Sequence, residues 1–289
     1  MPGTLFVVAT PIGNLEDITG RALRVLRDAA LIAAEDTRHT ARLLARYAIK
    51  TPTTSLHAHN ERQKAASLIE RLQHGDNVAL VSDAGTPTVS DPGEQLVRMA
   101  LEEGIRVEPI PGPSAALAAL SASGLPAGSF TFLGFPPIRS KDRKSWLDEL
   151  KHAGHTVVFF EAPHRLRATL EDIQRTVGDQ SVFIARELTK VHEQLVKEPI
   201  SAALERFVKP RGEFVVVIEI GLSTDNNGTG RPAAGLLYKE FCQLTENASL
   251  TRRMAIAKLS KRYSIPSSEI YELIEQQKKL GKQHNPGRC

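Results

Sequence analysis

Four turns rich in glycine and proline carry the residues best placed for chemistry. Each follows a hydrophobic run, and ligands of open α/β sheets bind beyond the carboxyl ends of the strands. They are Thr10-Pro11-Ile12-Gly13-Asn14, the stretch Ser82-Asp83-Ala84-Gly85-Thr86-Pro87-Thr88-Val89-Ser90-Asp91-Pro92-Gly93, Pro111-Gly112-Pro113-Ser114-Ala115-Ala116, and Glu161-Ala162-Pro163-His164-Arg165. In the second turn Ala84 and Gly85 leave the main chain bare, so a ligand can reach its amides and carbonyls. Asp91, Pro92 and Glu94 read as N-cap, N1 and N3 of a helix, which gives Asp91 a structural purpose and leaves Asp83 without one. In the third turn Pro113 opens a helix whose first amides, at Ser114 and Ala115, are free for a carboxylate or hydroxyl. In the fourth, Glu161 ends a hydrophobic strand just before a helix starts at Pro163. Several familiar chemistries lack their motifs. No G-x-G-x-x-G follows the first strand, no P-loop and no G-x-S-x-G elbow occurs, and His57-x-His59 has no further ligands to complete a metal site, so none is expected.

The elements that must hold these turns alternate along the chain. Strands are expected at Thr4–Ala9, Leu31–Glu35, Asn77–Asp83 and Arg106–Ile110, separated by amphipathic segments at Ile18–Ala29, Glu61–Gln73 and Gly93–Glu103. That alternation predicts a largely parallel sheet covered by helices. After Gly124 a second α/β lobe is expected, with strands at Ser129–Phe135, Thr156–Glu161, Ser181–Glu187 and Glu213–Ile220 and fewer long helices. The organisation is therefore a lobe over 1–124, a second over 125–221, a polar linker over 222–232 and a helical domain over 233–289, in which Thr251–Tyr263 and Ser267–Lys278 form a helix pair.

Composition narrows the classes of function. With 41% hydrophobic and 24% charged residues among 289, the chain has enough apolar material for real cores and is neither disordered nor fibrous. Two cysteines, Cys242 and Cys289, are too few to staple a fold; with no basic, apolar leader at the start, the expected address is the cytoplasm. Apolar runs such as Phe214 to Ile218 are far too short to cross a bilayer. Charge is uneven: residues 231–289 hold 11 basic and five acidic side chains, against 26 and 28 before them. A basic excess confined to the last fifth of the chain is what contact with phosphates needs.

Longer motifs carry a resemblance. Val8 to Thr19 (VATPIGNLEDIT), Ala33 to Thr40 (AAEDTRHT), the Ser82-to-Gly93 turn, Phe160 to Arg165 (FEAPHR) and Ala185 to Lys190 (ARELTK) together resemble the ribosomal-RNA branch of the tetrapyrrole-methylase-like methyltransferases. The resemblance spans nearly all of 1–221, and the basic tail is similar to that branch's small C-terminal domain. It implies two α/β lobes of the tetrapyrrole methylase type with a cleft for S-adenosylmethionine (SAM) between them. The implied reaction is methylation of the ribose 2′-oxygen of a cytidine in the decoding region of 16S rRNA, naked or within the small ribosomal subunit, by a homodimer. The SAM contacts fall on Pro11, Asp83, Ala84, Gly85, Thr88, Ser114, Ala115 and Glu161. Thr88 departs from the pattern, which has Gly, Leu or another apolar residue there. Turns stripped of side chains suit a donor with its own zwitterion, because amides and carbonyls satisfy it without importing a competing charge.

Methyl transfer to oxygen rests mainly on in-line positioning, to which a base adds about 10²–10⁴-fold. Candidates for that base are Glu35 and Lys190 first, then Asp36 and Glu187. Arg38, His39, Arg165 and Arg186, with Arg252, Arg253, Lys258, Lys261 and Arg262 of the tail, are candidate RNA contacts. Two other readings of the same residues are methylation of a small tetrapyrrole on this fold, and a non-catalytic nucleic-acid binder using the tail's helix pair. The second has no use for four ligand turns.

Overall fold

The computed structural model describes residues 1–221, 234–246, 250–263 and 265–284. The first lobe runs β1 (Thr4–Val8), α1 (Gly20–Asp28), β2 (Leu31–Ala34), α2 (Thr37–Arg46), β3 (Thr53–Ser55), α3 (Glu61–Gln73), β4 (Val78–Val81), α4 (Glu94–Glu102), β5 (Arg106–Ile110) and α5 (Ala115–Ser123). Its five strands lie in the order β3-β2-β4-β1-β5, and every pairing is parallel. β2 and β4 are buried at every position, as central strands covered on both faces must be. One face packs on α1 and α2 through Val25, Leu26, Leu43 and Leu44, the other on α3 and α4 through Leu68, Leu72 and Leu96. Helix starts are chosen locally: Thr19 Oγ1 accepts from the Ala22 amide at 3.1 Å, and Asp36 Oδ1 from the Arg38 amide at 2.9 Å.

The second lobe contains β6 (Phe130–Phe132), α6 (Ser140–His152), β7 (Thr156–Glu161), α7 (Pro163–Val177), β8 (Ser181–Arg186), β9 (Gln194–Pro199), α8 (Ile200–Arg206) and β10 (Phe214–Glu219). Its order is β6-β7-β10-β8-β9, with only β6 and β7 parallel. α6, α7 and α8 cover one face through Trp146, Leu150, Leu166, Leu170 and Ala203. The other face is covered by α5, whose Ala116, Ala119 and Leu120 pack on Val158, Phe183, Val215 and Val217. A helix that follows the last strand of the first sheet thus lies on the second sheet and ties the lobes together.

Where the sequence and structure differ, the reasons are physical. The expected scarcity of long helices in the second lobe is wrong, since α6 has 13 residues and α7 has 15. α6 is so rich in charge that only Trp146 and Leu150 of it are buried, which hides its period. β3 and β9 were not expected as strands. Both are sheet edges, and β9 alternates between half-buried and exposed positions along Gln194–Pro199. The linker expected over 222–232 lies outside the described residues. Beyond it α9 (Ala234–Glu246), α10 (Arg252–Tyr263) and α11 (Ser267–His284) share a small core of Leu237, Ile256, Leu259, Ile265, Ile270 and Ile274.

Candidate functional site

The loops after β1 and β4 are sewn together at the carboxyl end of the first sheet. The Thr10 amide donates to Gly85 O at 2.8 Å, the Gly85 amide to Thr10 O at 3.0 Å, and Thr10 Oγ1 to Ser82 O at 3.2 Å. Gly85 sits at φ +83°, a left-handed conformation that a side chain strains, and a Cβ there would point toward Ile12 and the Pro113 carbonyl. Thr86 Oγ1 donates to that same carbonyl at 3.3 Å, joining the third turn to the second. Between these loops and the second sheet opens a cleft of about 410 Å³. Asp83, Ala84, Gly85, Ser114 and Ala115 form one wall, and Phe135, Phe160, Ala162, Pro163 and Ala185 the other. Phe135 and Phe160 meet edge to face at 5.4 Å.

Of the eight residues expected to hold a cofactor, six line this cleft and two do not. Pro11 is buried behind the wall, and Thr88 is turned so that its methyl would meet a side chain added at Gly93. Thr88 and Ser90 both take positive φ, +72° and +66°, so the Ser82-to-Gly93 turn is tightly coiled. Ser114 caps α5, its Oγ accepting from the Leu117 amide at 3.5 Å, and it lines the cleft together with Ala115 at the start of that helix. Glu161 belongs to the wall, but its carboxylate is buried: it accepts from the Ala162 amide at 2.8 Å and from Thr169 Oγ1 at 2.5 Å. These bonds anchor the start of α7.

The candidate bases separate by environment. Glu35 lines the cleft; its Oε2 accepts from the Asp83 amide at 3.3 Å while Asp83 Oδ1 accepts from the Asp36 amide at 3.1 Å. Burial raises the Glu35 carboxyl above its ordinary value, with Asp83 and Asp36 adding to the rise. Asp36 is spent on its own helix, and Arg38, at 2.8 Å, holds it below the usual carboxylate range. Lys190 Nζ lies 3.1 Å from Glu187 Oε1 and 3.0 Å from Glu213 Oε2. Burial alone would lower Lys190, but the two carboxylates win and hold it above its ordinary value. Burial likewise opposes ionisation of Glu187, yet the Glu213 amide and Lys190 draw it below its usual value. Lys190 and Glu187 are therefore an ion pair at the lip of the cleft.

That lip touches the first lobe through main chain. The Asn14 amide donates to Thr189 Oγ1 at 2.9 Å, and a Cβ on Gly13 would come within 2.6 Å of Lys190 Cγ and 2.8 Å of Leu188 O. Arg38 and His39 are exposed beside the cleft. Arg165 is turned inward, its Nη2 donating to the carbonyls of Pro136 and Pro137 behind Phe135. Arg186 Nε donates to Arg211 O at 2.6 Å. In the tail Arg252 pairs with Glu275 and Arg262 with Glu240, while Arg253, Lys258 and Lys261 are exposed.

Asp91, Glu213 and Phe135 are among the cleft residues that the sequence reading did not name as site residues. The expectation that Asp91 caps a helix is corrected by the structure, in which Gly93 at φ +119° starts α4 and Glu61 Oε1 accepts from the Gly93 and Gln95 amides. Asp91 instead lines the cleft, where burial pushes its carboxyl up to about 6 and Glu35 and Asp83 add to the rise. Pro92 and Glu94 produced the false capping pattern. No local pattern marks Glu213 or Phe135.

Because the folded-state value of Asp91 is raised, its contribution to stability is complete below about pH 4 and is lost as pH rises through about 6. Asp91→Asn is therefore expected to stabilise the free protein at pH 7.5 by on the order of 1 kcal/mol, reduced from the full shift because the group is partly solvated. Urea midpoints at pH 4 and 7.5 check this; equal differences at both would sink it.

Two lobes joined by one helix, with a bare-backbone cleft between a parallel and a mixed sheet, define a methylase of the tetrapyrrole type. The sequence pattern of the Tetrapyrrole (Corrin/Porphyrin) Methylases matches residues 4–204. Solved structures share the fold: diphthine synthase at TM-score 0.60 and 16% identity over 76% of this chain and 91% of that one, and a Thermus thermophilus uroporphyrin-III C-methyltransferase complexed with S-adenosylhomocysteine at 0.55 and 20%, over 75% and 98%. Curated relatives are far closer in sequence. Proteins named ribosomal RNA small subunit methyltransferase I are 43% identical in Haemophilus influenzae, over 94% of this chain and 96% of theirs, and 51% identical in Pseudomonas aeruginosa, over 75% and 78%. One from Thermotoga maritima is 48% identical over 75% of this chain and 98% of its own. The chain belongs to the ribosomal RNA small subunit methyltransferase I group of the tetrapyrrole methylase family.

Proposed function

We propose that this protein transfers the methyl group of SAM to the ribose 2′-oxygen of a cytidine in the decoding region of 16S rRNA, in the cytoplasm and as a homodimer. The observation that carries the reading is the cleft itself. Its Ala84 and Gly85, together with the start of α5 at Ser114 and Ala115 and the carboxylates of Glu35, Asp83 and Asp91, complement a ligand bearing a carboxylate and two positive centres. SAM, when bound, supplies an electrophilic methyl group.

The protein's own groups do the rest. Ala84, Gly85, Ser114 and Ala115 hold and orient the donor, and Phe135 and Phe160 exclude water from the opposite wall. Glu35 accepts the proton of the ribose hydroxyl at its carboxylate. Burial makes it a stronger base than an ordinary glutamate, and Asp83 fixes its orientation. Lys190 remains a cation at neutral pH and, with Arg38 and His39, faces the phosphates of the incoming strand. Incubating the protein with labelled SAM and small-subunit RNA tests the reading. Label is expected on a ribose and to block alkaline cleavage at one position; label on a base, or on a tetrapyrrole in preference to RNA, would overturn it.

The tail is assigned to RNA docking. The Thermotoga relative is matched over nearly its whole length by three quarters of this chain, so the lobes suffice for a named member of the group. Removing residues 231–289 is expected to leave SAM binding intact while weakening RNA binding. Losing Arg253, Lys258 and Lys261 should flatten the slope of log K against log salt by about 2, at about 0.7 per single-strand phosphate. Identical slopes for full-length and truncated protein would remove the tail from recognition.

A further inference from the structure

A smaller hollow of about 170 Å³ opens at the same end of the second sheet as the cleft, lined by Arg186, Gln194, Arg206, Phe207, Lys209 and Arg211 among others. It lies on the opposite face. Val182 and Ile184 of β8 belong to the core beneath α6, α7 and α8, so Arg186 continues that face, whereas Phe183 and Ala185 face α5 and the cleft. Adjacent residues of one strand, Ala185 and Arg186, thus line the two cavities in turn.

Its charges are not arranged for stability. Arg206 is compensated, its Nε and Nη2 donating to Glu198 at 2.8 and 2.9 Å. Arg186 is held against the wall by its bond to Arg211 O. Lys209 and Arg211 are exposed, and among the described residues no carboxylate pairs with either. Lys209 and Arg211, with no carboxylate partner among the described residues, thus join Arg186 on one concavity, where the cations repel one another unless an anion is present. The wall is stiff. Pro210 fixes the chain between Lys209 and Arg211, and Gly212, at φ +91°, presses so close to Glu187 that a Cβ would lie 2.7 Å from its carboxylate. Glu187 in turn pairs with Lys190 at the lip of the cleft, so hollow and lip are held in fixed relation.

We propose that this hollow is a phosphodiester subsite: it grips a backbone phosphate of the RNA strand next to the nucleotide whose ribose enters the cleft. The inference rests on the RNA-methyltransferase reading above. Arginine suits the role because its planar fork meets two phosphate oxygens at once, and an arm already held by a main-chain carbonyl, as Arg186 is by Arg211 O, loses little freedom in doing so. Gripping a neighbouring phosphate on the far side of the lip would bend the strand over Glu187 to Lys190 and present one ribose to Glu35.

The test compares the full-length protein with its Lys209→Gln, Arg211→Gln double variant; both side chains are exposed, so an unchanged melting temperature is expected and is measured first. Affinity for a small-subunit RNA fragment is measured across a range of salt, and SAM binding by calorimetry. The variant is expected to bind RNA about tenfold or more weakly, with its log K against log salt slope reduced by about 1.4, and to bind SAM as before. If the unaltered protein binds and methylates the RNA while the variant shows the same affinity and slope, the subsite is overturned and the wider reading stands. If the unaltered protein does neither, both fall. Titration with inorganic phosphate alone separates a strand from a free anion: saturable heat that vanishes in the variant, with RNA affinity and slope unchanged, would reassign the hollow to a free anion and overturn its role on RNA.

Discussion

Gly85→Trp is expected to abolish SAM binding while the protein stays folded. The residue sits at φ +83°, so any side chain costs about 1–2 kcal/mol in backbone strain, a loss that a chain with two large cores survives. The first atom of that side chain would find ordinary room, 3.5 Å from Ile12 Cγ2. The indole beyond it would not, because the cleft holds only about 410 Å³ and an indole fills much of what the donor needs. A donor present at 100 times its dissociation constant stabilises the native protein by about 2.7 kcal/mol, and that increment should disappear in the variant. Calorimetry would register no heat and methyl transfer should fall by at least about 10²-fold. A variant that binds SAM as the parent does would show that the donor lies elsewhere.

Glu35→Gln should separate binding from chemistry. The amide is nearly the same shape and keeps an oxygen to accept from Asp83, so SAM affinity is expected to hold. Turnover on RNA should drop by about 10²–10⁴-fold, the worth of a positioned base, and the acidic limb of the pH–rate profile should vanish. Removing the Glu35 charge also removes one of the influences that raise Asp91, whose carboxyl should move back toward its ordinary value. Turnover within roughly threefold of the parent, with the acidic limb intact, would take the base role from Glu35 and leave positioning as the main source of rate.

Much of this was legible in the residues because the governing signals are local. Strand ends followed by turns at Gly85 and Ala115 announce a backbone-lined site wherever the sheet finally sits, and β5 and β7 fall at their expected bounds for the same reason. What was not legible depends on distant partners. Asp91 has every mark of a helix cap, and only the competing Gly93, served by Glu61 from another helix, turns it into a cleft residue. The role of Lys190 is likewise invisible without Glu213, which comes to it from 23 residues away and fixes its charge. The bonds of Glu161 to Thr169 and to the Ala162 amide are likewise unmarked in the sequence. Edge strands escaped because half of each side is wet, so apolar alternation is faint.

The closeness of Gly13 to Lys190, Thr189 and Leu188 has an evolutionary corollary. The loop after β1 and the loop at the far lip of the cleft abut with no side chain on the Gly13 side, so neither can be lengthened or reshaped alone. A lineage that changed its acceptor would have to rewrite both segments in concert, and grafting one without the other should yield a folded chain whose two half-sites no longer meet.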